Sequence, residues 1–250
     1  MNKLYAKNEL SFSLIWIALY VILFSAAENL SELIGVSKII TVPICILFVL
    51  FLWSWIRKNN RKEKYGLCKF QVNAKGYLYF IPLVFLASCN LWNGVTLRLS
   101  PIESVLHVIS MLCVGFIEEI LFRGFLFKAL CSEKKLRQAI LISSLTFGLG
   151  HIVNLLNGAE LFSTLLQIFY AVAIGFLFTI IFYKSKSLIP CILTHSIINS
   201  LSAFAVTPAP SYEIVSSVIL AVVSVGYAVW IIVLHPVNSH KAYISIKQKP

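Results

Sequence analysis

Long apolar stretches, each of the length that crosses a bilayer as one helix, occupy most of this sequence. A helix rises about 1.5 Å per residue, so roughly 20 apolar residues span the hydrocarbon core of a membrane. Eight candidate spans follow one another along the chain: residues 10–27, 38–56, 76–93, 104–130, 137–156, 162–183, 187–206 and 213–234. Hydrophobic residues make up 59% of the chain and charged residues 12%, which excludes an ordinary soluble domain. The sequence predicts an all-α membrane protein, with residues 1–250 forming a single bundle of about eight transmembrane helices.

Lysine and arginine are concentrated in every second connection between these spans. They lie before the first span, after the second, fourth and sixth, and in the tail: Lys3, Lys7, Arg57, Lys58, Arg61, Lys62, Lys64, Lys134, Lys135, Arg137, Lys184, Lys186, Lys241, Lys247 and Lys249. Basic connections face the cytoplasm, so both termini are predicted to be cytoplasmic. We expect the first span to be retained, because its apolar run is longer than the roughly 7–15 residues of a signal peptide. The net charge of +11 does not predict nucleic-acid binding, since the basic residues do not cluster on one domain face.

Charged side chains also occur inside the fourth span, where Glu118, Glu119 and Arg123 fall within six residues. A charge at the bilayer centre costs at least about 2.5–3.5 kcal/mol, so such groups face the bundle interior and pair with one another. Glu119 and Arg123 are i,i+4 neighbours, which predicts an ion pair. Glu118 points about 100° away around the helix and has no local partner. A structural ion pair therefore explains Glu119 and Arg123 and leaves Glu118 unexplained.

Two further spans carry histidines within apolar sequence. The fifth contains Phe147-Gly148-Leu149-Gly150-His151, whose two glycines are expected to let another helix approach closely. The seventh carries His195 and Asn199 one turn apart on one face. Measured from the basic ends of their spans, Glu118, His151, His195 and Asn199 lie at depths of about 12 to 21 Å. Their similar depth predicts one polar pocket.

Such a pocket has the groups needed for hydrolysis of a peptide bond. A carboxylate and a histidine in poorly hydrated surroundings can activate water, and a second histidine beside an amide can stabilise an oxyanion. No span contains GxSxG or HExxH, which excludes a serine hydrolase elbow and a zincin motif. Two other interpretations stay open: a non-enzymatic immunity or binding protein of the membrane, and a proton-coupled transporter that uses buried Glu and His as a relay.

Residues 100–205 resemble the CPBP family of intramembrane proteases, also called the Abi or CAAX prenyl protease 2-type family. Three motifs carry the resemblance in the family's order: EExxxR at Glu118–Arg123, FxxxH at Phe147–His151 and HxxxN at His195–Asn199. The resemblance implies that residues 100–205 form the catalytic core of an endopeptidase within the membrane. The substrate implied is a membrane-associated peptide or protein.

The resemblance also implies a role for each motif residue. Glu118 would activate the attacking water, assisted by His151. His195 and Asn199 would form the oxyanion site. Glu119 and Arg123 would support the helix and orient Glu118.

A metal and a biological role are implied by the same resemblance. The family is labelled as metalloproteases, and catalytic zinc takes three protein ligands plus water. Glu118, His151 and His195 would be the ligands of a divalent ion such as zinc, and the sequence leaves metal dependence open. Many bacterial members are linked to bacteriocin self-immunity or to maturation of secreted signalling peptides. A compact chain of this kind favours a bacterial plasma-membrane protein with one of those roles.

Overall fold

A computed structural model describes residues 1–68 and 80–234 of the chain. Within these residues the protein is helical, and its only β-type pairing is an isolated antiparallel bridge between Val95 and Ala205. The α-helices are α1 (Asn2–Lys7), α2 (Glu9–Ile34), α3 (Thr41–Lys58), α4 (Ile81–Ala87), α5 (Pro101–Glu119), α6 (Lys128–Glu133), α7 (Leu136–Gly150), α8 (Leu161–Ser185), α9 (Ile189–Leu201) and α10 (Pro210–Leu234). A π-helical segment, Ile120–Phe127, joins α5 to α6, and short 3₁₀ segments follow α4, α7 and α9.

Six helical runs in the described residues are long and apolar enough to cross a membrane: Glu9–Ile34, Thr41–Lys58, Pro101–Glu133, Leu136–Asn157, Leu161–Ser185 and Pro210–Val233. This protein is therefore a multi-pass membrane protein, as the sequence predicts. The predicted count of eight spans is not confirmed. The placement of both termini in the cytoplasm stays a prediction, and residues 235–250 lie outside the described part.

Among the described residues, the two predicted spans without a matching long helix are the third and the seventh. Residues 76–79 of the third lie outside the described residues, and its remaining part begins with α4, which at seven residues is only about 10 Å long. The seventh corresponds to the apolar run Ile189–Phe204, roughly 24 Å long, whose last turn is 3₁₀. Ala205 then adopts an extended backbone, paired with Val95, and this pairing ends the helix.

Local capping sets where the long helices begin and end. The Asn8 side chain accepts a hydrogen bond from the backbone of Ser11 at the start of α2, and Gly35 ends that helix with a left-handed φ of 81°. Ser100 and Glu103 form a reciprocal capping box at the start of α5. The caps match the polar residues that interrupt the apolar runs.

Two close helix contacts place the polar motifs beside one another. A Cβ added to Gly115 of α5 would lie 2.7 Å from the backbone nitrogen of Ser196, so α5 and α9 touch at this glycine. In the same way, a Cβ at Gly148 of α7 would lie 2.8 Å from the backbone nitrogen of Val172 in α8. The predicted close approach at Gly148 is confirmed. Gly150 does not need to be glycine for packing, because a Cβ there would meet only Phe122 at 3.8 Å.

Aromatic rings fix α2 and α3 against the π-helical segment. Phe12 stacks on Trp55 with ring centroids 5.2 Å apart and contacts Phe125 at the same distance. All eight residues of the π-helical segment are buried. The first long helix therefore packs directly on the element that follows Glu119.

Candidate active site

Glu119 is the most connected polar residue at the contact between α5 and α9. Its Oε1 accepts a hydrogen bond from Arg123 Nη1 at 2.8 Å and lies 2.9 Å from His195 Nδ1. A carboxylate can only accept hydrogen bonds, so His195 Nδ1 carries the hydrogen in this contact. The side chains of Glu119 and Arg123 are both 0% exposed, and that of His195 is 7% exposed. The ion pair that the i,i+4 spacing predicts is present, and it extends to a histidine on another helix.

The hydrogen bonds of Glu119 also reach a residue that its implied role does not name. Both of its hydrogen bonds go to Arg123 and His195, so the residue that Glu119 orients directly is His195 rather than Glu118. Because Glu119 engages Nδ1, Nε2 is the nitrogen of His195 that faces away from the Glu119–Arg123 ion pair. An ion pair that only stabilised helix packing would not need the hydrogen bond between Glu119 and His195.

Arg123 lies in the π-helical segment and is enclosed by aromatic rings. Its guanidinium lies 4.0 Å from the ring centroid of Phe147 and 5.7 Å from that of Phe178. A Cβ added to Gly175 would lie 3.2 Å from Arg123 Nη2, so the glycine leaves room for the guanidinium. Arg123 Nε and Nη2 and Glu119 Oε2 are buried without a hydrogen-bond partner in the described part of the chain. The cation is therefore held by one carboxylate and by the faces of rings.

Phe147 links the cation to both histidines. Its ring lies edge-on to His151, with centroids 5.5 Å apart, and edge-on to His195 at 5.6 Å. The FxxxH spacing places Phe147 in the last turn of α7 and His151 at the start of the following 3₁₀ segment. Phe147 is thus a packing platform that sets the distance between the two imidazole rings.

Glu118 occupies a separate position beside this buried network. Its Oε1 accepts a hydrogen bond from the hydroxyl of Tyr20 at 2.7 Å, and its Oε2 lies 3.6 Å from His195 Nε2. The second distance is longer than a hydrogen bond, so the two groups face each other without direct bonding. The Glu118 side chain is 13% exposed. Its hydrogen-bond partner is nonlocal, consistent with the absence of a local one in the sequence.

Tyr20 is the site residue that sequence reasoning missed. It lies in the middle of α2, 98 positions before Glu118, in a stretch with no charged or histidine neighbours. A tyrosine in an apolar span is compatible with packing or with lipid contact. The only signal in the sequence was the hydroxyl itself, since a buried hydroxyl needs a partner.

His151 and Asn199 are less tightly connected than the other predicted site residues. His151 is half-buried and close enough to Glu118 and His195 to interact with them electrostatically. Asn199 lies one turn after His195 on α9 and is also half-buried. Among the described residues, neither side chain makes a hydrogen bond, and the Asn199 carbonyl accepts one from Ser202. Both amide and imidazole are therefore free to contact a ligand.

The metal ligand set named from the resemblance is not assembled. Within residues 1–68 and 80–234, no group of three His, Cys or Glu side chains is arranged to hold a metal ion. His195 has one nitrogen engaged by Glu119, and its other nitrogen lies 3.6 Å from Glu118 Oε2. The three-ligand zinc set is therefore not confirmed, and the chemistry below is written for the protein's own groups.

The arrangement places one carboxylate oxygen and one imidazole nitrogen face to face in largely buried surroundings. Glu118 Oε2 is positioned to accept a proton, and His195 Nε2 is positioned to donate or accept one beside it. Glu119 on Nδ1 stabilises His195 when the ring is positively charged. These are the elements of general acid–base catalysis with electrostatic stabilisation.

Comparison with known proteins agrees with the motifs. Residues 101–201 match the family model described as "Type II CAAX prenyl endopeptidase Rce1-like". No curated protein and no solved structure matches the chain. The matched segment begins at the first residue of α5 and ends at the last residue of α9, so it contains all three motifs. The resemblance is confirmed over this segment: residues 101–201 are similar to the Rce1-like family of type II CAAX prenyl endopeptidases.

Proposed function

We propose that this protein is an intramembrane endopeptidase in which Glu118 activates the attacking water. The observation that carries the proposal is the 3.6 Å approach of Glu118 Oε2 to His195 Nε2, with the other nitrogen of the ring tied to a buried carboxylate. If the Glu119–Arg123 ion pair were purely structural, it would not require Glu118, a second and less buried carboxylate, beside the same imidazole of His195.

The reaction begins with transfer of a proton from water to Glu118 Oε2. The hydroxide oxygen attacks the carbonyl carbon of the scissile peptide bond, and the carbonyl oxygen becomes an oxyanion. Protonated His195 donates a hydrogen bond from Nε2 to that oxyanion and keeps its proton, and Glu119 stabilises the imidazolium through Nδ1. Collapse of the intermediate breaks the carbon–nitrogen bond, and Glu118 passes its proton to the leaving amine.

His151 and Asn199 complete the proposed site. His151 lies close to Glu118, where it can assist proton transfer to and from the carboxylate. Asn199 is one turn beyond His195, and its side-chain amide is free of hydrogen bonds within the described part of the chain. The amide is therefore available as a second donor to the oxyanion.

The proposed substrate is a membrane-associated peptide or protein. A groove of about 520 Å³ lies between α4 and α9, and its lining is almost entirely apolar. Thr194, the chain neighbour of His195, lines this groove, so an apolar part of a substrate bound there would lie beside the site. The connections of residues 35–40, 158–160 and 186–188 are short and provide no soluble domain for substrate recognition. A role in bacterial peptide maturation or bacteriocin self-immunity is the biological setting that we propose.

The proposal is tested by replacing Glu118 with glutamine, which keeps the side-chain volume and removes the base. Glu133→Gln is the matched control, because Glu133 is an exposed carboxylate at the end of α6. Small membrane proteins and peptides of cells expressing each variant are compared by mass spectrometry. Purified protein is assayed in parallel on a farnesylated peptide that ends in a CAAX sequence, to determine whether prenylated substrates are cut.

The expected result is an uncut substrate that accumulates with Glu118→Gln and not with Glu133→Gln. If substrate processing is unchanged in both Glu118→Gln and His151→Ala, the proposal that this protein is an endopeptidase is refuted. If the protein protects cells from a bacteriocin and Glu118→Gln protects equally well, the function is peptide binding without cleavage.

A further inference from the structure

The hydroxyl of Tyr20 is the only hydrogen-bond donor to Glu118 among the described residues. The distance from the hydroxyl to Glu118 Oε1 is 2.7 Å, and Tyr20 is 9% exposed. Tyr20 belongs to α2, outside residues 101–201 that match the family model. A helix without any family motif therefore contributes a direct contact to the proposed base.

The ring of Tyr20 is fixed by its neighbours independently of the hydroxyl. It packs against Phe24 with centroids 4.3 Å apart and against Phe48 of α3 at 6.2 Å. Phe12, Tyr20 and Phe24 are all buried and share one face of α2. Phenylalanine at position 20 would fill the same space, so the hydroxyl has a role that is separable from packing.

The hydrogen bond makes the two oxygens of Glu118 inequivalent. A phenol can only donate to a carboxylate, and the oxygen that accepts is held in place and made less basic. Here that oxygen is Oε1, whereas Oε2 is the oxygen that lies opposite His195 Nε2. Without Tyr20, no hydrogen bond from the described residues would hold the plane of the carboxylate or keep one oxygen opposite His195 Nε2.

We propose that Tyr20 is a positioning residue that holds Oε1 of Glu118 and so presents Oε2 as the oxygen that takes the proton from water. The proposal rests on the proposed function, in which Glu118 is the base. It assigns part of the site to the first long helix, and it gives the Tyr20 hydroxyl a role beyond packing.

The test compares Tyr20→Phe with Tyr227→Phe. Tyr227 is a suitable control because it is also a buried tyrosine, and its hydroxyl has no hydrogen-bond partner in the described part of the chain. The rate of cleavage, KM and the thermal unfolding midpoint in detergent are measured for both variants, with the substrate identified by the Glu118→Gln comparison.

We expect Tyr20→Phe to lower kcat by roughly 10- to 100-fold, the usual effect of losing a group that orients a reactive residue. KM and the unfolding midpoint should stay at the values of Tyr227→Phe. A kcat equal to that of Tyr227→Phe would overturn the proposal. A fall in kcat matched by a fall in the unfolding midpoint would also overturn it, because it would assign Tyr20 to packing.

A double-mutant cycle with Glu118→Asp gives a second, independent measurement. The shorter carboxylate withdraws from the Tyr20 hydroxyl, so Tyr20→Phe should cost clearly less in the Glu118→Asp background than in the natural protein. Equal costs in both backgrounds would contradict positioning through Glu118. If Glu118→Gln retains full activity, the proposed function is wrong. If Glu118→Gln is inactive and Tyr20→Phe is fully active, the proposed function is retained and the proposed role of Tyr20 is wrong.

Discussion

Replacing Arg123 with methionine removes a buried cation and keeps a side chain of similar length. In the natural protein the guanidinium donates to Glu119 Oε1 at 2.8 Å, and both side chains are 0% exposed. After the replacement, the Glu119 carboxylate stays buried with only His195 as a partner. Breaking a buried ion pair by removing one member costs about 3–5 kcal/mol, because the remaining charge is left without compensation.

The contact of the guanidinium with Phe147 is lost in the same replacement. A desolvated cation over an aromatic face contributes about 2 kcal/mol, and the guanidinium lies 4.0 Å from the ring centroid. The two terms share the same group and are not additive. We therefore expect the free energy of unfolding to fall by about 4 kcal/mol, which corresponds to roughly a thousandfold change in the folding equilibrium.

The measurement is an unfolding titration with sodium dodecyl sulfate in mixed micelles, followed by tryptophan fluorescence. Arg98→Met is the matched control, because Arg98 is exposed and its hydrogen bond goes to Thr207 rather than to a carboxylate. Its expected loss is below about 1 kcal/mol. If Arg123→Met also lowers the free energy of unfolding by less than about 1 kcal/mol, the placement of this ion pair in a water-free interior is refuted.

Two further predictions use the same titration. Gly115→Ala should cost about 1–3 kcal/mol and reduce cleavage, because the new Cβ would lie 2.7 Å from the backbone of Ser196 and force α5 away from α9. Gly226→Ala, where a Cβ meets nothing within 4 Å, should be neutral or more stable by up to about 1 kcal/mol; equal behaviour of the two variants would contradict the close contact. Ser100→Ala removes the capping box of α5 and should cost about 1 kcal/mol while cleavage by the folded protein is unchanged. A stability equal to that of the natural protein would show that the cap is not formed.

The parts of the site that were predictable from the sequence are those in which a charge lies in apolar surroundings. Such a group must find a partner, and for Glu119 the nearest option along the helix was Arg123. The contact with His195 was harder to predict, because it depends on how α9 packs on α5. That packing is decided at Gly115, a residue with no polar signature.

Tyr20 shows the limit of spacing rules. Its partner is 98 positions away, and an isolated tyrosine in an apolar run carries no periodic pattern that links it to another helix. The lengths of the helices could not be predicted from the sequence either. Apolar residues continue through 76–93, but hydrophobicity does not reveal that the described helix ends at Ala87, or that the backbone between Glu119 and Lys128 is π-helical.

The shared oxygen of Glu119 limits how this protein can be engineered for stability. Buried ion pairs can often be replaced by apolar residues of similar volume with no loss of stability, and sometimes with a gain. Here the same oxygen that accepts from Arg123 also holds the imidazole of His195. An apolar replacement of the pair would leave Nδ1 of that buried ring without its hydrogen-bond partner. Replacing Glu119 and Arg123 with apolar residues is therefore not a usable way to stabilise a variant that must keep His195 aligned.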